Sequence, residues 1–283
     1  MLRSKLLTYL ELLRYLVCFS AFLMAIIGYW LSIHEFDFSN MKILFAAVAV
    51  AASLGFGNVF NDILDLAGDR INYPHRPIPS GRVSLREANW VAGFLFAVSL
   101  IGSGLAGGRM FLFMLFLLAA AALYDLWASK IPIVGNVIVA AWSALTLATG
   151  YFVVDSGSFP IVPILAAFCF ILAREFMETI SDDVGDKIGG RKSIYALLGK
   201  TQVLLISLAL VLVSMVVLFV PVFTTELASR TLYILTVSLV LILPAAAAIV
   251  AVWRDQSPGN IRTVAHWVGI VFFSSFLTFL WLV

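Results

Sequence analysis

Nine stretches of the chain are almost purely apolar, at about 12–32, 41–60, 88–106, 110–128, 132–154, 160–178, 202–222, 231–252 and 264–283, with short polar segments between them. Each is close to the ~20 residues that a helix needs to cross the hydrocarbon of a bilayer. A segment in lipid must satisfy its backbone internally, so the pattern predicts helices rather than isolated strands. Connections as short as Gly107–Arg109 predict antiparallel neighbours. The expected architecture is all-α: one domain over residues 1–283, a polytopic bundle of nine transmembrane helices.

Composition agrees with this reading. Apolar residues make up 62% of the 283 and charged residues 12%, against roughly half and a quarter in a soluble domain. Residues 1–11 are mildly basic, but the apolar run after them is as long as a span and lacks a small-residue cleavage site, so no cleavable signal is expected. Cys18 and Cys169 lie inside apolar runs, far apart in sequence, and read as small hydrophobes. Lys and Arg mark the cytoplasmic side of a membrane protein. With the N-terminus inside, 15 of the 18 basic residues fall on the inner face and only Lys42, Arg109 and Arg230 on the outer. Twelve of the 16 acids are on the inner face too. The positive-inside rule does not require that, so the predicted cytoplasmic face uses both signs.

Much of this charge lies in two stretches. The first runs from Asn58 to Arg82, NVFNDILDLAGDRINYPHRPIPSGR, and the second is REFMETISDDVGDKIGGRK at 174–192. Asp65, Gly68, Asp69, Arg70 and Ile71 recur 117 residues later as Asp182, Gly185, Asp186, Lys187 and Ile188, and Asn61 maps onto Glu178. Each stretch ends a span, the second and the sixth, and these run in the same direction. That is the signature of a parallel internal repeat, about 41–128 and 160–252. Asn61, Asp65 and Asp69 are spaced i, i+4, i+8 and share one helical face, as do Glu178, Asp182 and Asp186. Asp62 and Asp183 point about a quarter-turn away. The glycine before the last Asp is expected to end or bend each helix.

Like charges on one face repel unless a cation offsets them. Oxygen ligands without His or Cys suit Mg²⁺ or Mn²⁺ rather than Zn²⁺. Mg²⁺ is commonly shared between one or two carboxylates and substrate phosphates. Arg70, Arg76, Arg82, Lys130, Lys187 and Arg191 are placed to take remaining phosphate charge. The two stretches together predict a polyphosphate site at the inner face of a membrane. Arg14, at the inner start of the first span, reads either as a further phosphate ligand or as an interfacial snorkelling cation.

N61-D62-x-x-D65-x-x-x-D69 followed by R76-P77 resembles the first signature of the UbiA superfamily of intramembrane prenyltransferases. D182-D183-V-G185-D186 resembles its second aspartate motif, and Y124-x5-K130-x4-G135-N136 its third patch. The resemblance covers nearly the whole chain. One departure is Thr179, where the family often has an acid, which leaves Glu178 a ligand by the repeat but off-register by the family pattern. The resemblance implies a Mg²⁺-dependent enzyme of lipid synthesis that transfers the prenyl group of a polyprenyl diphosphate to an acceptor. It implies Asn61, Asp65, Asp69, Asp182 and Asp186 as catalytic, and these with Asp62 and Glu178 as metal-binding. Arg14, Asn58, Arg70, Arg76, Arg82, Tyr124, Lys130, Arg174, Lys187 and Arg191 are the expected substrate-binding set, and Asp62 a candidate base.

The segment Ile71–Ser84, INYPHRPIPSGRVS, most resembles the branch of the superfamily that makes archaeal ether lipids. Its donor is geranylgeranyl diphosphate and its acceptor the free hydroxyl of geranylgeranylglyceryl phosphate. An acidic acceptor would use the surplus of inner cations, with Lys130 and Arg76 as leading candidates. Chlorophyll synthases share a similar R-P-I-P-S-G segment, and 4-hydroxybenzoate prenyltransferases are a further alternative. A divalent-cation transporter would need polar groups along a path near the midplane, whereas both clusters lie at one face. CDP-alcohol phosphotransferases keep their acids in one short segment with a D-G-x-x-A-R core, which is absent. The expected partners are the two lipid substrates and the bilayer, with no nucleic acid and no obligate protein partner.

Overall fold

A computed structural model of the chain describes residues 2–35, 39–155, 157–188, 190, 192–224, 227–274, 278 and 281. Among the described residues the structure is helical, with no strands. α1 (Leu2–Leu13) breaks into α2 (Tyr15–Ile33) at Arg14, which is left-handed at φ 52°. α3 (Met41–Leu64) continues after Asp65 as α4 (Leu66–Asn72), and α5 (Leu85–Ala106) and α6 (Gly108–Leu126) follow. α7 (Val134–Leu145) and α8 (Thr149–Val153) are joined by a single 3₁₀ turn. α9 (Ile161–Ile188) and α10 (Ile194–Thr224) are long. α11 (Arg230–Thr236) and α12 (Leu243–Arg254) are joined by a π-turn, and α13 (Pro258–Ser274) comes last.

Seven of these segments are long and apolar enough by themselves to cross a membrane: α2, α3, α5, α6, α7–α8, α10 and α11–α12. Over the sixth predicted span, α9 carries Arg174, Glu175 and Glu178 along its length. Over the ninth, α13 is described to Ser274, and most of the remainder lies outside the described residues. The periphery supports a lipid surround. Trp90, Phe94, Phe223 and Trp253 are each more than two-thirds exposed, a cost that lipid tails remove because they are as apolar as the side chains.

Helix ends follow local chemistry. Asn40 caps α3 by accepting from the Lys42 amide. Ser84 and Glu87 form a reciprocal capping box at the start of α5, with Ser84 Oγ accepting from the Glu87 amide and Glu87 Oε2 from the Ser84 amide. Ser84→Ala is therefore expected to cost about 1 kcal/mol, read as a small drop in the thermal midpoint of the purified protein. Close packing needs glycine where α2 meets α8. A Cβ on Gly28 would lie 2.0 Å from the Leu147 carbonyl oxygen, and one on Gly150 2.0 Å from Tyr29 Cα.

The two helices that carry the acidic stretches are central. α3 packs most extensively on α5, and also on α2 and α6; α9 packs most extensively on α10, and also on α7, α13 and α4. Residues 174–188 of the second stretch form the last turns of α9. Gly68 and Gly185 do not end or bend their helices, as the sequence suggested: both lie inside helix, and the break in the first stretch falls at Asp65. The i to i+4 bonding continues through that break, with the Asp65 amide on Asn61 O and the Asp69 amide on Asp65 O. The glycines serve close approach instead. A Cβ on Gly68 would sit 3.0 Å from the Gly185 carbonyl oxygen.

Candidate active site

The first acidic stretch is a connected network. Asn61 Nδ2 donates to Asp65 Oδ2 at 2.8 Å and to Asp125 Oδ1, from α6, at 3.1 Å. Asp69 accepts from Arg76 Nη1 at 2.8 and 2.7 Å. Asp62 is only 2% exposed. It accepts from Arg14 at 2.7 Å and lies 3.4 Å from Arg76. The left-handed break at Arg14 turns the chain where this guanidinium meets α3, and it also reaches Asn58 Oδ1 at 3.2 Å.

The second stretch meets the first directly. The Tyr73 hydroxyl donates to the Asp182 carboxylate at 2.8 and 2.9 Å, and Arg262 from α13 donates to Asp182 Oδ1 at 3.0 Å. Asn72 donates to the Asp182 carbonyl and accepts from the Gly185 amide. Burial and the charge of Asp182 push the Tyr73 phenol above its ordinary pKa, so it remains a donor at neutral pH. Arg174 donates to Glu175 at 2.9 Å and to Glu178 at 2.7 Å.

Both stretches line one cavity of about 290 Å³. Of the residues singled out from sequence, Arg14, Asn58, Asn61, Asp65, Asp69, Arg76, Tyr124, Arg174, Glu178, Asp182 and Asp186 line it. Asp62 is outside the lining, where it pairs with two arginines. Arg70 and Lys130 are exposed and outside the lining. Arg82 is turned away to pair with Glu11 at 2.6 Å, and Lys187 pairs with Asp183 at 2.7 Å. Arg191 lies outside the described residues.

Sequence reasoning missed Asn72, Tyr73, Asp125 and Glu175, all in the lining, and Arg262. Asp125 and Glu175 did carry a signal, since each is an ionisable residue at the end of an apolar run. Arg262 and Tyr73 did not, because their roles depend on where α13 and the loop after α4 come to rest. The lining also includes apolar side chains, Val17, Leu54, Val139 and Trp142. Gly57 leaves space for the indole: a Cβ there would lie 2.2 Å from the Trp142 ring.

The ionisable donors are oxygen only, with no His or Cys among the lining residues. That chemistry fits a hard divalent cation such as Mg²⁺. Among the described residues no three acids already gather into a preassembled cage. Mg²⁺ does not require one, since it is usually held by one or two carboxylates with substrate phosphates and water.

Known proteins resemble the chain closely. The digeranylgeranylglyceryl phosphate synthase of Sulfurisphaera tokodaii is 33% identical over 222 residues, 76% of this chain and 78% of that one. The synthase of the same name from Methanosphaera stadtmanae is 28% identical over 278 residues, 96% of this chain and 97% of that one. A solved structure concerned with digeranylgeranylglyceryl phosphate synthase matches with a TM-score of 0.72 at 27% identity, covering 98% of this chain and 97% of the other. A UbiA homologue from Archaeoglobus fulgidus, solved with GPP and Mg²⁺, shares the fold, with a TM-score of 0.71 at 19% identity over 96% of this chain and 99% of its own. The model of the UbiA prenyltransferase family matches residues 21–282, so this multi-pass membrane protein belongs to that family and is a prenyltransferase.

Proposed function

We propose that the enzyme transfers a geranylgeranyl group from geranylgeranyl diphosphate to the free hydroxyl of geranylgeranylglyceryl phosphate, forming digeranylgeranylglyceryl phosphate for membrane ether lipids. The observation that carries this reading is the shared cavity: its lining combines acids and cations from two stretches 117 residues apart with apolar side chains. The relatives named above are synthases of the same product by name, which is consistent with this reading.

In this reading the 283 residues form one domain with nine crossings, and the N-terminus and cavity mouth face the cytoplasm. The charge distribution supports the orientation. The parallel repeat is supported by two features: the equivalent glycines Gly68 and Gly185 meet, and the most extensive helix pairs, α3 with α5 and α9 with α10, occupy equivalent places.

Asn61, Asp65 and Asp69 on one wall, and Glu178, Asp182 and Asp186 on the other, are the groups to hold Mg²⁺. Bound there, the cation supplies charge neutralisation for the departing diphosphate. The allylic C–O bond breaks with its electron pair going to diphosphate, and the acceptor oxygen bonds to the allylic carbon as its proton leaves. Arg14, Arg76 and Arg174 place positive charge on the cavity wall, where it stabilises phosphate groups. The apolar lining residues Val17, Leu54, Val139 and Trp142 take the prenyl chain and keep water from the electrophilic carbon. Tyr124 and Asn58 in the lining, and the exposed Arg70, Lys130 and Lys187 outside it, complete the proposed substrate-binding set. With Lys130 exposed and outside the lining, the acceptor phosphate is assigned to the lining arginines Arg14, Arg76 and Arg174.

Mass spectrometry of products from purified enzyme, geranylgeranyl diphosphate and a panel of acceptors tests the assignment. Geranylgeranylglyceryl phosphate is the expected acceptor. Its dephosphorylated form should be poorer by roughly 10- to 150-fold in kcat/KM, the equivalent of one charge-assisted contact of about 1.5–3 kcal/mol. Efficient prenylation of 4-hydroxybenzoate or a chlorophyllide-type acceptor, with none of the glyceryl phosphate, would reassign the acceptor.

A further inference from the structure

Asp182 is held by groups that have no part in the transfer described above. The Tyr73 hydroxyl lies 2.8 and 2.9 Å from the two carboxylate oxygens, so its one proton is shared between them. Arg262 reaches Oδ1 at 3.0 Å and the Ser181 carbonyl at 3.1 Å. The Tyr73 ring lies against two guanidinium groups, with Arg76 3.7 Å and Arg262 4.8 Å from its centroid. Asp65, at the equivalent place in the first stretch, has an amide donor from Asn61 instead.

We infer that Tyr73 is a positioning residue for Asp182, keeping this carboxylate available to a divalent cation when Arg262 competes for it. The inference rests on the reading that the cavity holds Mg²⁺. A carboxylate has about four lone-pair sites. A phenol proton lying between the two oxygens uses the inner edge of the group, fixes its plane and leaves the outer sites for a metal. A terminal carboxylate torsion is otherwise broad and roughly two-fold. A guanidinium next to a freely turning carboxylate tends to take both oxygens in a bidentate pair. With the hydroxyl in place Arg262 has only Oδ1. Without it, Arg262 is free to take both, and a cation then competes with a fixed positive charge. Tyr73 can act in this way because it follows α4 directly, where Asn72 binds two peptide groups of α9 and holds the loop against that helix.

The test uses metal-stripped, full-length protein in detergent and reads Mn²⁺ binding directly, by the loss of the free-ion electron paramagnetic resonance signal. Tyr73→Phe keeps the ring between the two arginines and removes only the hydroxyl. It is expected to weaken Mn²⁺ binding by ~10- to 100-fold, the range seen when a group orienting a metal ligand is lost. The metal concentration for half-maximal turnover should rise in step, with the donor KM at saturating metal unchanged. The thermal midpoint without metal should match wild type. Arg262→Gln leaves the hydroxyl in place and removes the competitor, so it should bind Mn²⁺ at least as tightly as wild type, and in the Tyr73→Phe background it should recover much of the lost affinity. Unchanged Mn²⁺ affinity in a folded Tyr73→Phe protein overturns the inference. So does a more than tenfold weakening in Arg262→Gln alone, a result available even if Tyr73→Phe does not fold. A wild type that neither binds Mn²⁺ nor transfers a prenyl group would instead overturn the proposed function.

Discussion

Asp65→Asn and Asp182→Asn are each expected to lower turnover by ~10²- to 10³-fold, the scale seen when one group stabilising transition-state charge is removed. The two residues occupy the same place in the two acidic stretches, and both line the shared cavity. Each substitution keeps shape and hydrogen-bonding capacity while removing one negative charge. The loss should therefore fall on catalysis rather than folding. Asp65 would keep a neighbour in Asn61, and Asp182 in Tyr73 and Arg262. The reactions of both purified variants with geranylgeranyl diphosphate, alongside thermal midpoints, separate these possibilities. Wild-type turnover in either variant would rule out a site shared by both stretches. Asp62→Asn is a useful contrast. Asp62 is buried against Arg14 and Arg76, away from the lining, so its loss is expected mainly to lower stability by leaving two arginines undercompensated.

Removal of divalent cations should abolish turnover, and Mg²⁺ or Mn²⁺ should restore it. The leaving diphosphate concentrates negative charge in a pocket whose own carboxylates would repel it. The lining cations Arg14, Arg76 and Arg174 already have carboxylate partners, so the protein alone has little uncommitted positive charge for the leaving group. A metal at this position is worth several kcal/mol of transition-state stabilisation. Zn²⁺ should substitute poorly, because the lining has no His or Cys and zinc favours nitrogen and sulfur ligands. Full turnover in excess EDTA, with metal depletion verified by elemental analysis, would refute the expectation.

Much of this arrangement was legible in the residues. The period of the apolar runs marks where helices begin and end, because a segment in lipid has few ways to satisfy its backbone. The spacing of Asn61, Asp65 and Asp69, and of Glu178, Asp182 and Asp186, placed all six on the cavity side, because i to i+4 spacing is a local property of a helix. It survived even the break at Asp65. The partners of individual charged side chains were less legible. Arg82 and Lys187 were counted as phosphate ligands because they are basic and close by in sequence. Their actual partners are Glu11, 71 residues away, and Asp183, one helical turn away. A long flexible cation takes whichever carboxylate lies within reach, and its sequence neighbourhood does not specify that choice. The burial of Asp62 was not legible either, since it depends on Arg14, 48 residues away, reaching it.

The amino-acid sequence by itself determined the class of the protein and the identity of its chemical groups: a membrane-embedded helical chain with two matched clusters of oxygen ligands at the ends of apolar helices. These are consequences of composition and short-range period, which act within a few turns of helix. Only the tertiary structure decided which of those groups share a cavity. It set Gly68 against Gly185, brought Asp125 to Asn61, and carried Tyr73 and Arg262 to Asp182. Each of these contacts joins residues more than 60 positions apart. Such contacts are fixed by how α3, α4, α6, α9 and α13 pack on one another, and that packing depends on the shape of whole helix faces rather than on any motif.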